Sequence, residues 1–132
     1  MRLVGPILIP EHLSLFGREI VTLPRHDRRT LVKRVDHVSG VAFPGGRRRR
    51  DELGLQGGGP RFIVTPLCIF AFDEAGEIFV HSVHPGVTAE DVRANTGYAI
   101  DVPDGVERTD APTAQELEIL RRDFDPHGLL RA

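Results

Sequence analysis

Gly57-Gly58-Gly59-Pro60-Arg61-Phe62-Ile63-Val64-Thr65-Pro66-Leu67-Cys68-Ile69-Phe70 is the stretch that decides the fold, and His84-Pro85-Gly86-Val87-Thr88 answers it. Glycines feed an apolar run, and residues 61–72 read as one strand whose near-continuous apolar content predicts burial on both faces. Pro66 has no amide to give to a ladder, so a bulge, a bend or a sheet edge is expected there. Asp73-Glu74-Ala75-Gly76 reads as a turn, and residues 77–83 return as the second strand of a hairpin. Thr88 with Asp91 has the form of a capping box and predicts a short helix that stops near Asn95-Thr96-Gly97.

Working outward, Ile20-Val21-Thr22-Leu23 is a short strand closed by Pro24. Residues 30–35 fit a short helix or a strand, being too few for periodicity to decide. Residues 39–60 read as a loop rich in glycine and arginine. Residues 98–102 suggest a last short strand. Pro112-Thr113-Ala114-Gln115-Glu116 starts a helix with a hydroxyl cap and a glutamate three residues on, Leu117, Leu120 and Phe124 form its apolar stripe, and Asp125-Pro126 ends it. The pattern is mixed α/β in a single domain over residues 1–132.

With 40% hydrophobic and 27% charged residues, the composition is that of an ordinary globular protein. The longest apolar run is too short to span a bilayer. Residues 1–17 lack the pattern of a signal peptide, so a cytoplasmic location is the expectation and no membrane partner is implied. The single cysteine excludes an intramolecular disulfide, and Cys68, set among apolar neighbours, reads as a packed core thiol. Charge is unevenly placed: residues 18–50 hold ten Lys/Arg against three Asp/Glu, and residues 51–132 hold six against fifteen. Such a dipolar chain favours subunit contacts or an anionic ligand near its basic part, and falls short of a dedicated nucleic-acid binder.

Candidate chemistry is sparse. His81 and His84 sit three apart on a strand, which points them to opposite faces, and no HExxH or CxxC occurs; no metal site is expected. No nucleophile elbow surrounds Ser14, Ser39 or Ser82. Gly57, Gly58 and Gly59 either let backbone amides approach a ligand or make a tight entry turn. The run Arg47-Arg48-Arg49-Arg50 is either a solvated loop or an anion contact, such as for the phosphates of coenzyme A. The candidate ligand-binding set is therefore Gly57, Gly58, Gly59, Arg47 and Arg48.

Several pieces, in order, resemble the C-terminal half of family I coenzyme A transferase beta subunits, in the glutaconate-type branch that includes steroid-ring-opening acyl-CoA hydrolases. They are Arg25-His26-Asp27-Arg28-Arg29 with Val35-Asp36-His37-Val38, Gly57-Gly58-Gly59-Pro60 leading into Val64-Thr65-Pro66-Leu67, Phe70-Ala71-Phe72-Asp73, His84-Pro85-Gly86-Val87-Thr88, and Thr96-Gly97-Tyr98. The resemblance implies a partial coenzyme A transferase-like α/β fold of the kind shared with phosphosugar isomerases. It further implies a mostly parallel sheet with a C-terminal β-hairpin and short helices, and a partner alpha-type subunit; uncovered apolar faces and open strand edges make a homo-oligomer the expectation where no such partner is present. It implies a coenzyme A thioester as substrate and no covalently bound cofactor. In the family the catalytic glutamate lies upstream, and a glycine-rich loop lining the acyl-CoA site precedes the strand corresponding to Ile20. Here that place reads Gly5-Pro6-Ile7-Leu8-Ile9-Pro10-Glu11-His12, with residues 1–17 divergent, so no catalytic residue is carried over. The expectation is a subunit or truncated member of that superfamily acting in acyl-CoA metabolism and inactive alone. The alternatives are a noncatalytic interaction module derived from the fold and, third, an anion- or nucleotide-binding protein using the arginine run.

Overall fold

A computed structural model describes residues 8–40, 42–43 and 45–130. Five strands form one open sheet in sequence order: β1 (Glu19–Thr22), β2 (Pro60–Val64), β3 (Cys68–Phe72), β4 (Ile78–Val83) and β5 (Glu107–Arg108). β1 runs parallel to β2, and β4 runs parallel to β5. The β2–β3 and β3–β4 pairs are antiparallel. The α/β class holds, and the sheet is evenly mixed where a mostly parallel one was expected.

The difference originates at Pro66. What reads as one strand over residues 61–72 is two, because Thr65-Pro66-Leu67 reverses the chain. The Thr65 amide donates to the Cys68 carbonyl at 3.0 Å, and the Thr65 hydroxyl accepts from the Cys68 amide at 3.1 Å. Proline costs the ladder nothing there, since a turn residue needs no ladder amide. The β3–β4 hairpin is as expected: the Glu77 amide donates to Asp73 Oδ1 at 2.8 Å, and Gly76 takes φ 82°, which a side chain rarely tolerates.

Both capping boxes form. Thr88 and Asp91 bond reciprocally at the start of α3 (Ala89–Asn95), as do Thr113 and Glu116 at the start of α4 (Ala114–Ile119). α4 runs on into a π-helical turn over Leu120–Phe124 that stops at Asp125. Residues 30–35 are neither helix nor strand, and residues 98–102 contribute one isolated bridge, Phe79 to Asp101. Two further helices are present: α1 (Ile9–Leu15), in the divergent N-terminal stretch, and α2 (Arg47–Glu52), inside the stretch that reads as a loop. In α2, arginine is a good helix former, and Glu52 pairs with both Arg48 and Arg49 at helical spacing.

The core lies on one face of the sheet. Cys68, Phe70 and Val80 are fully buried there against Val92 of α3, with Leu31, Val83, Ile100 and Val102 around them. On the opposite face Ile69 is only half-buried, while Ala71 and Ser82, the ladder partner of Ile69, are buried, so the second face is covered in part. The apolar stripe of α4 stays in the open: Leu120 is 43% and Phe124 76% exposed. No helix among the described residues is long and apolar enough to cross a membrane.

Candidate functional site

The polar groups of this fold gather in two places, at opposite ends of the β1–β2 pair. At the end where β1 and β2 run out, His26 is buried between two threonines. Its Nδ1 lies 2.8 Å from Thr65 Oγ1 and its Nε2 lies 3.2 Å from Thr96 Oγ1. The Thr96 hydroxyl donates to the Val92 carbonyl at 2.8 Å, so it accepts from His26, which places the imidazole proton on Nε2. Nδ1 then faces the Thr65 hydroxyl as acceptor, the single hydroxyl proton being shared between Nδ1 and the Cys68 carbonyl at 2.9 Å, while the amides of Leu67 and Cys68 donate to the same oxygen. The ring stacks on Phe70 at 5.6 Å between centroids. Burial lowers its pKa from 6.5, so the neutral form dominates at neutral pH.

His84 continues the network. Its Nε2 donates to the Thr65 carbonyl at 2.8 Å, and its Nδ1 meets Thr109 Oγ1 at 3.2 Å. Thr109 in turn meets Ser82 at 2.9 Å. Gly97 closes the far side: a Cβ there would fall 2.5 Å from the Leu31 carbonyl and 2.6 Å from that of Arg28. The motifs Arg25–Arg29, Thr65-Pro66, His84-Pro85 and Thr96-Gly97 thus meet in one cluster, and its hydrogen bonds point inward. Cys68 belongs to it as packing. It is fully buried, and its thiol is pushed up to about 11 by burial, far from a reactive thiolate. His81 stands apart, exposed, with its ring 5.3 Å from that of Phe62. Among the described residues no three His, Cys, Asp or Glu gather as metal ligands.

At the other end the arginine run divides into three roles. Arg50 is 2% exposed and works as a staple: Nη1 donates to the Ala42 carbonyl at 2.7 Å, Nη2 to Leu13 at 2.6 Å, and further bonds reach Ser14, Gln56 and Gly57. Arg48 and Arg49 pair with Glu52 on the exposed side of α2. Arg47 turns inward, donating to the carbonyls of Asp73 at 2.8 Å and Phe72 at 3.1 Å, with its guanidinium 4.6 Å from the Phe43 ring centroid. Of the candidate ligand set, Arg47, Gly58 and Gly59 line one cleft together. Arg48 lies outside it. Gly57 is spent on packing, since a Cβ would sit 2.5 Å from the Phe16 carbonyl. Nothing in the sequence flagged Arg50 as the structural member of the run. A second concavity, about 530 Å³, lies between the 30s loop and β4, with Lys33, Glu77, Tyr98 and Asp101 in its wall.

No protein-family model matches the chain. It is 42% identical over 123 residues to the B-type subunit of the 3-oxoadipate CoA-transferase of Pseudomonas knackmussii, covering 92% of this chain and 46% of that protein. It is 33% identical over 110 residues to the cholesterol ring-cleaving hydrolase IpdB subunit of Mycobacterium tuberculosis, covering 79% of this chain and 41% of the relative. The crystal structure of glutaconate coenzyme A-transferase from Acidaminococcus fermentans superposes with a TM-score of 0.84 at 25% identity, over all of this chain and 50% of that one. The chain therefore spans about half the length of the curated relatives it matches. A fold, a set of inward motifs and these relatives agree: the chain is a homologue of the B-type (beta) subunits of the coenzyme A transferase superfamily, corresponding to about half of such a subunit.

Proposed function

We propose that this chain acts in acyl-CoA metabolism as part of a B-type subunit, supporting transfer or hydrolysis of a coenzyme A thioester together with an A-type partner, and that it contributes scaffold and interface while the nucleophile comes from elsewhere. The observation that carries this reading is the 42% identity across nearly the whole chain to the B-type component of a CoA-transferase. The disposition of reactive groups supports the division of labour: Glu11, Glu74 and Glu77 are exposed, and Cys68 is buried with a raised pKa. The relatives are named as subunits, which favours a partner for this chain. Arg47, Gly58 and Gly59 line one cleft together, and in this reading they are the members of the ligand-binding set assigned to an anionic part of the thioester.

The exposed stripe on α4 favours a second reading, in which the chain is a noncatalytic assembly module that pairs with its own kind. One experiment separates the two. The chain is purified alone and with a co-expressed A-type subunit, and both are incubated with acyl-CoA donors and carboxylate acceptors. The acyl-CoA reading expects a stable heteromeric complex and no turnover by the chain alone. Robust turnover alone overturns the scaffold assignment, and self-association with no A-type complex favours the assembly module.

A further inference from the structure

The two edges of the sheet are not alike. β5 is only Glu107 and Arg108, and an edge so short and charged gives another strand little to pair with. β1 is longer, Glu19-Ile20-Val21-Thr22, and among the described residues it pairs with β2 on one side only. Its outer row of backbone groups is therefore open to a further strand. Leu15, Phe16 and Ile20 stand beside it, each more than half exposed. A hollow of about 290 Å³ lies among them, walled by His12, Phe16, Arg18, Glu19 and Ile20. Glu19 is the polar anomaly of this edge. Its Oε2 is shut off from water and accepts no hydrogen bond, the only such side-chain atom among the described residues. A carboxylate oxygen so shielded calls for a cation or a donor, yet none of the ion pairs among the described residues includes Glu19.

These three features make one joint demand. A strand satisfies the open edge, apolar side chains on it cover the exposed ones, and an arginine or lysine answers the carboxylate. A small molecule or a lone ion meets only one of the three. The relatives contain polypeptide to spare for this role: the chain covers 46% of the 3-oxoadipate CoA-transferase subunit and 50% of the superposed glutaconate CoA-transferase chain, so each has about as much chain again. We propose that the β1 edge receives a strand from the part of a B-type subunit that lies outside this chain, with apolar side chains against Leu15, Phe16 and Ile20 and a basic side chain on Glu19. The orphaned Oε2 then acts as a selectivity device, unfavourable while the edge is open and relieved only by a segment that brings the matching charge. The inference rests on the B-type part of the reading above and on no step of acyl-CoA chemistry, so binding is measured and not turnover.

The test is hydrogen exchange, resolved by NMR, at the β1 amides that do not bond to β2. It is measured on the full chain alone and on the full chain co-expressed with the part of the 3-oxoadipate CoA-transferase B-type subunit that it does not cover. Fast exchange alone and slow exchange in the purified complex is the expected result. Should that segment be insoluble by itself, joining it to this chain in the relative's order gives the same readout. Glu19→Gln is expected to act with opposite signs. It raises the urea midpoint of the chain alone, by removing an unpaired shielded charge, and it weakens the complex about tenfold, the worth of one charge-assisted contact. Ile20→Lys is expected to weaken the complex as well, while Phe124→Ser, on the α4 stripe, leaves it unchanged. Absence of protection in both the complex and the fusion overturns the proposal, as does a complex indifferent to Glu19→Gln. Slow exchange in the chain alone also overturns it, and a concentration dependence of that protection assigns the edge to a second copy.

Discussion

His26 and Thr96, seventy residues apart, meet in the core with Nε2 donating to Oγ1 across 3.2 Å. That bond ties the segment after β1 to the end of α3, and Thr65 ties the same ring to the β2–β3 turn from the other side. A buried imidazole with both nitrogens partnered fixes three chain segments in register, and removing either partner strands a polar group in the interior.

Thr96→Val is therefore expected to destabilise the fold by about 1–3 kcal/mol, the cost of leaving a buried donor unpaired. Thr96→Ser keeps the hydroxyl and should lose less. Urea unfolding midpoints of the two variants, followed by circular dichroism, check this. An unchanged midpoint in Thr96→Val, or a larger loss in Thr96→Ser, would show that the methyl packing and not the hydroxyl carries the effect.

The same ring sets a pH dependence. Burial lowers the His26 pKa below 6.5, so in the window beneath that value the unfolded chain binds a proton that the folded chain refuses. Stability should be flat above about pH 6.5 and decline as the pH falls below it. A separate, more acidic loss comes from Asp27, Asp91 and Glu116, whose hydrogen bonds hold their carboxyls below the ordinary 3.8 and 4.5. Thermal midpoints across the pH range should show both phases, and His26→Gln should remove only the upper one.

Adjacent arginines should differ sharply. Arg50→Met leaves five backbone carbonyls, of Leu13, Ser14, Ala42, Gln56 and Gly57, without their shared donor, and is expected to cost about 3 kcal/mol or more. Arg48→Gln removes one exposed pair with Glu52, worth under about 1 kcal/mol. Denaturant unfolding of the two variants is the measurement. Similar losses would show that the Arg50 side chain is not the staple its contacts describe.

Much of this was legible because some signals are local. Capping boxes at Thr88 and Thr113 are read from four residues each, and the Asp73–Gly76 turn from its composition. Pro66 was legible as an interruption, but not as a reversal, because apolar content alone does not distinguish one long strand from two short antiparallel ones. Helix α2 was hidden by the glycines around it, although Arg48 and Glu52 carry the i,i+4 signal. The cleft was half legible. The arginine run and the glycines point to Arg47, Gly58 and Gly59, and Arg61 follows them directly in the chain, while Arg18 joins them only through the parallel pairing of Glu19 with Pro60. No local pattern encodes that pairing.

The last prediction concerns the face that the fold leaves uncovered. Thr113 and Glu116 start α4 well, yet the stripe the helix presents gains little from this chain: Leu120 and Phe124 stay exposed, and so do Leu129 and Leu130 beyond the π-helical turn, at 79% and 76%. Burying such side chains is worth about 1.5–3 kcal/mol each, enough to drive association when several act together. The purified chain should therefore self-associate, its weight-average mass rising with concentration in light scattering after size-exclusion chromatography. Phe124→Ser combined with Leu120→Ser should return it toward a monomer without lowering its unfolding midpoint, since neither side chain belongs to the core. A complex with an A-type subunit that survives the double substitution would place that contact elsewhere on the surface. A parent chain that stays monomeric at every concentration would show that the stripe is not an association surface of this chain alone.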